Sequence, residues 1–131
     1  MSPPRLIAVI AFWACLIGAY VLAIMPGHDA PSVFLWDKLN HMLAFFVVTI
    51  LYRLAYPRTP VVVIAVAMAL FGGAIELSQA VPFIHRDAEW DDWFADCGAA
   101  IAGLIVAWPL TMLVRKWRIR HGLISPSGSR L

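Results

Sequence analysis

Four apolar runs order this chain, and a proline, a glycine or a charge bounds each of them. Residues 6–25 contain no charged side chain and end at Pro26 and Gly27. Twenty helical residues rise about 30 Å, the thickness of a bilayer core. The second run, residues 39–56, holds His41 near its start and Arg53 near its end, both placed to lean toward an interface. Pro57 closes it. The third, residues 61–81, stops at Pro82. The fourth, residues 93–114, contains Pro109, which a membrane helix tolerates better than a soluble one. This pattern predicts an all-α polytopic membrane protein. A four-helix transmembrane bundle with short loops occupies residues 1–118, and a short basic tail follows over 119–131. A cleaved signal peptide is the weaker account of the first run. Only Arg5 precedes it, it exceeds the usual apolar length of roughly 7–15 residues, and no small-residue cleavage site follows.

The third and fourth runs carry small residues every four positions: Ala65, Ala69 and Gly73, then Ala95, Ala99, Gly103 and Ala107. Such stripes let helix backbones approach closely. Packing inside the bundle is the expected use, and a homodimer through these faces is the alternative.

Composition agrees with a membrane setting. The chain is 62% hydrophobic and 14% charged, with mean hydropathy +0.80, against about 25% charged residues in a soluble domain. The distribution of charge says more than its sum. With four spans, one side carries both termini and Arg5, Arg53, Arg58, Arg115, Lys116, Arg118, Arg120 and Arg130, which is eight of the ten basic residues. The other side has Lys38 and Arg86. Basic residues are retained in the cytoplasm, so both termini are expected there. All eight acids fall toward the opposite side: Asp29, Asp37, Glu76, Asp87, Glu89, Asp91, Asp92 and Asp96. Trp36, Trp90 and Trp93 mark that outer boundary and Trp117 the inner one, as amphipathic rings prefer. Topology and attraction to anionic lipid explain the basic tail, so no nucleic-acid partner is expected. Cys15 and Cys97 lack metal-ligand spacing and read as small buried thiols.

Three polar clusters then converge at one depth. Asp37 and His41 share a face at the outer start of the second helix, with Lys38 beside them. Glu76 and Gln79 share a face of the third, and Glu76 lies about 9 Å below Pro82. Asp92 and Asp96 lie one turn apart at the outer start of the fourth, and His85 and Arg86 stand in the loop before it. A charge in hydrocarbon is costly, by about 2.5–3.5 kcal/mol for a comparable acid. Glu76 therefore needs a partner, a proton or water. Arg86 suits it, because a guanidinium clamps a carboxylate bidentately. Lys38 and His41 are candidates to neutralise Asp92 or Asp96. Acids at a helix start also act simply as caps, and the charged groups also serve as staples between helices.

These residues resemble the VanZ-like family of small bacterial integral membrane proteins. The matching pattern is Asp37-Lys38-x-x-His41, then Glu76-x-x-Gln79, Arg86 and Asp92, with Gly103 at the position of a second glycine. It covers residues 36–110. Asp96 stands where the family commonly has asparagine, and Ala99 where it usually has a first glycine. The resemblance implies a multi-pass protein of the bacterial inner (cytoplasmic) membrane with a role in the cell envelope. It brings no settled activity. The family takes its name from a protein linked to resistance to teicoplanin, and nothing in this chain extends that link to it.

Three functions compete with a purely structural role. The first is binding of a polar lipid or cell-envelope precursor headgroup by Lys38, His41, Glu76, Gln79, Arg86, Asp92 and Asp96. The second is a membrane-embedded enzyme acting on such a substrate. Its candidate catalytic residues are His41 as base, with Asp37 or Asp92 orienting it, and Glu76 as acid. The chain has no HExxH and no Gly-x-Ser-x-Gly, and no metal or other cofactor is expected. The third is transport or proton relay, disfavoured because the inner half of the membrane path has no acid.

Overall fold

The computed structural model describes residues 3–25, 37–84 and 89–122. They form α1 (Pro3–Ile24), α2 (Asp37–Ala55), α3 (Val61–Gln79), a 3-10 turn (Pro82–Ile84) and α4 (Trp90–Arg120). There is no strand among them. All four helices are long and apolar enough to cross a membrane. The protein is an all-α four-helix bundle. Its helices alternate in direction, so the starts of α1 and α3 and the ends of α2 and α4 share one end. That end is basic, and the other holds the polar clusters.

The helices do not pack equally. α2 packs most extensively on α4, then on α1; α3 packs on α4, and the α1–α3 seam is looser. Gly103 explains the tightest contact. A Cβ there would stand 2.8 Å from the Phe46 backbone oxygen and 3.1 Å from Thr49 Cβ. Ala99, Gly103 and Ala107 are all buried, so the small-residue face of α4 lies against α2 inside the bundle. On α3, Gly72 and Gly73 lie under the Trp93 ring, whose Nε1 donates to the Ala69 carbonyl at 2.9 Å. Phe45, Val48, Ile64, Met68 and Ile75 fill the core between these contacts.

The outward faces are apolar. Ile7, Ile10, Ile17 and Val21 on α1 and Val62, Val66 and Leu70 on α3 are exposed. An apolar patch this extensive suits a lipid environment rather than water. Cys15 sits on this outward face, which corrects its reading as a buried thiol; Cys97 is half-buried. Side chains from other helices satisfy several helix ends. The last four carbonyls of a helix lack internal partners. Arg5 Nε donates to the carbonyl of Ala55, the last residue of α2, at 3.1 Å. A cation there also complements the helix dipole. Arg53 donates to the Pro57 and Thr59 carbonyls, both at 2.9 Å, and ties down the loop into α3.

α4 is longer than its apolar run. Its 31 residues rise about 46 Å against a hydrocarbon core of about 30 Å. No breaker separates Val114 from His121, and lysine and arginine are good helix formers favoured at a helix C-terminus. The basic residues 115–120, part of them assigned from sequence to a tail, therefore extend the last span. Gly122 stops it with φ 68°, its N–H bonding to the Ile119 carbonyl at 3.0 Å.

Candidate functional site

The polar cluster lies at the end of the bundle opposite the basic residues. It is assembled across α2, α3 and α4. Because α2 and α4 run parallel, the Lys38–His41 spacing on one meets the Asp92–Asp96 spacing on the other. Lys38 Nζ stands 3.0 Å from Asp92 Oδ1, and both side chains are partly exposed. One turn deeper, His41 Nδ1 stands 3.6 Å from Asp96 Oδ2. That separation is an ion-pair contact rather than a hydrogen bond. Among the described side chains, Asp96 rather than Asp92 is thus the carboxylate facing His41 Nδ1.

Burial sets these residues apart from ordinary helix caps. Asp96 and Glu76 are each 1% exposed, and His41 is 8% exposed. The Glu89 backbone lies beside the Glu76 carboxylate, and Asp92, His41 and Asp96 are its electrostatic neighbours. Even so, Glu76 Oε2 and both Asp96 carboxylate oxygens are buried without a hydrogen-bond partner among the described residues. Such groups are costly to leave unsatisfied, more so when charged. Asp91 and Asp92 occupy the first turn of α4, where the helix dipole favours them. Asp96 lies deeper and draws less from it.

Gln79 also holds a neighbouring helix. Its Nε2 donates to the Ala23 carbonyl at 2.9 Å. Ala23 lies in the last turn of α1, so Gln79 caps one helix from another. Tyr20 and Ser78 hydroxyls meet at 2.9 Å beside it, and Ser78 also donates to the Ala74 carbonyl. Replacing Gln79 by leucine is expected to lower stability by about 0.5–1.5 kcal/mol while leaving the α2–α4 pairs in place. Thermal unfolding in detergent, with proteolysis of α1 as a local readout, checks this. Unchanged melting and unchanged α1 protection would sink it.

Arg86 and the side chain of Asp37, both named from sequence, lie outside the described residues. Lys38, His41, Glu76, Asp92 and Asp96 do come together. Among the described residues no three His, Cys, Asp or Glu side chains are grouped to hold a metal ion. Two residues support the site in ways the sequence reading did not assign. Trp93, read there as a boundary marker, bridges α4 to α3. Thr49 is fully buried against Gly103, its Oγ1 without a partner among the described residues. The signal for Thr49 was present, since it continues the His41–Phe45 stripe by one more turn.

No family model, curated protein or solved structure matched the chain. The resemblance to the VanZ-like family rests on its motif residues alone.

Proposed function

We propose that this polytopic membrane protein binds the polar headgroup of a lipid or lipid-linked envelope precursor at the outer face of the bacterial cytoplasmic membrane. The observation that carries this reading is the pair of buried carboxylates, Glu76 and Asp96, with oxygens that lack hydrogen-bond donors among the described residues. A headgroup bearing hydroxyl or ammonium groups supplies those donors. Lys38 with Arg86 supplies positive charge for a phosphate or carboxylate on the same ligand. Gln79 acts from behind by holding α1. In this reading the basic end is cytoplasmic, as retention of positive residues requires, and membership of the VanZ-like family is part of the proposal.

The contact between His41 and Asp96 favours a second reading, in which the bound precursor is also a substrate. A carboxylate beside one imidazole nitrogen orients the ring for proton transfer. One experiment separates the cases. Native mass spectrometry of the gently extracted protein is compared with that of a folded Glu76→Gln/Arg86→Ala variant. A lipid or precursor adduct lost only in the variant supports binding. The same adduct converted on incubation with wild type, but not with His41→Gln, supports catalysis. Equal retention by wild type and the folded variant removes both readings and leaves a scaffold role.

A further inference from the structure

The loose seam between α1 and α3 opens a cavity of about 600 Å³. It lies toward the basic half of the bundle, on the side of Phe71 away from Glu76. α1 contributes Phe12 and Leu16, α2 contributes Tyr52 and Tyr56, and α3 contributes Met68 and Phe71. The Phe12 ring lies tilted against Tyr52 at 4.8 Å and meets Tyr56 edge-on at 5.7 Å, which makes a continuous aromatic wall. Trp13 Nε1 donates to the Tyr56 hydroxyl at 3.0 Å, so the wall's polar atoms are partly paired with one another. The volume is that of a small-molecule site, roughly 300–1,000 Å³, but it lacks the convergent polar groups that such a site uses to orient a polar ligand. What fits is hydrocarbon.

The mouth of the cavity is not apolar. Thr59 lines it, and Arg53 holds the Thr59 carbonyl. Arg5 holds the Ala55 carbonyl, next in sequence to Tyr56. Arg58 is exposed in the same loop. A guanidinium has five N–H donors. Arg5 spends one on a backbone carbonyl, and Arg53 uses one nitrogen for both of its bonds. Donors therefore remain at the rim. The deepest lining residue of α3, Phe71, lies about 15 Å from the helix start at Val61, which is one leaflet's depth.

We propose that this groove holds an acyl chain of an anionic phospholipid from the leaflet at the basic end, with the lipid phosphate on Arg5, Arg53 and Arg58. The site is independent of the carboxylate cluster. Its chain-binding part and its headgroup-binding part sit on different residues and are separable by mutation.

The test titrates the purified wild-type protein with phosphatidylglycerol or phosphatidylcholine of identical chains and reads binding by native mass spectrometry. Wild type is expected to favour phosphatidylglycerol. Arg58→Gln, at an exposed position, is expected to narrow that preference by about fivefold, the effect of one cation near anionic lipid. Ala67 of α3 also lines the groove, and Ala67→Phe, which adds bulk there, is expected to weaken both lipids while the Glu76-dependent adduct persists. Equal binding of the two lipids by wild type would overturn the proposal, as would an unchanged preference in Arg58→Gln. Complete displacement by inorganic phosphate would also overturn it, since that marks a headgroup site without a chain.

Discussion

Gly103→Leu is expected to abolish accumulation of the folded protein in the membrane, and Gly103→Ala to destabilise it by about 1–3 kcal/mol. The obstacle to a side chain here is backbone. A Cβ would stand 2.8 Å from the Phe46 carbonyl oxygen, which cannot retreat unless α2 bends, and 3.1 Å from Thr49 Cβ. α2 and α4 form the most extensive helix contact, and this contact aligns Lys38 with Asp92 and His41 with Asp96. Separating the helices by even a fraction of an ångström therefore disturbs the site as well as the fold. Gly98→Ala is the control, because nothing lies within 4 Å of its added methyl. It is expected to be neutral or to stabilise by about 0.5–1 kcal/mol, since alanine loses less backbone entropy than glycine in a helix. Membrane abundance and thermal unfolding in detergent read both. Normal accumulation of Gly103→Leu would show that the two helices pack elsewhere.

The second large effect separates stability from binding. Glu76→Gln combined with Asp96→Asn is expected to raise stability, by about 1–3 kcal/mol, because neutral amides replace buried carboxylates that have unsatisfied oxygens. The same pair is expected to weaken the headgroup adduct by about tenfold or more for each carboxylate, the worth of a charged hydrogen bond. A site that keeps buried, incompletely hydrogen-bonded carboxylates for a ligand trades stability for binding. The measurement is the melting temperature beside ligand occupancy in native mass spectra. If both fall together, the carboxylates are structural partners of His41 and Lys38, and the ligand reading fails.

Much of this was legible in the sequence. Four apolar runs of membrane-spanning length identified the helices, because hydrocarbon leaves a backbone segment no partner but itself. Clustering of the acids and of the basic residues separated the two ends. Spacings of three and four brought Lys38 with His41, Glu76 with Gln79 and Asp92 with Asp96 onto shared faces, which is local helix geometry. The C-terminal limit of α4 was less legible, because apolarity marks only where a helix is lipid-covered, whereas its stop depends on Gly122 adopting positive φ.

What only the tertiary structure decided was which faces meet. Two helices each carrying groups one turn apart can pair in several registers, and periodicity within a helix says nothing about its neighbour. Gly103 against Phe46 sets the close approach of α2 and α4, so His41 faces Asp96 and Lys38 faces Asp92. Gln79 looked like part of the same cluster from its spacing to Glu76. In the bundle its amide reaches α1 instead and caps the Ala23 carbonyl, because a helix end in an apolar setting takes a nearby donor in place of water. Sequence alone determined the helices, their polar faces and the separation of charge between the two ends. Helix contacts, which join residues dozens of positions apart, decided that Glu76 Oε2 and the Asp96 oxygens are buried without a donor among the described residues and that a loose seam opens beside three arginines.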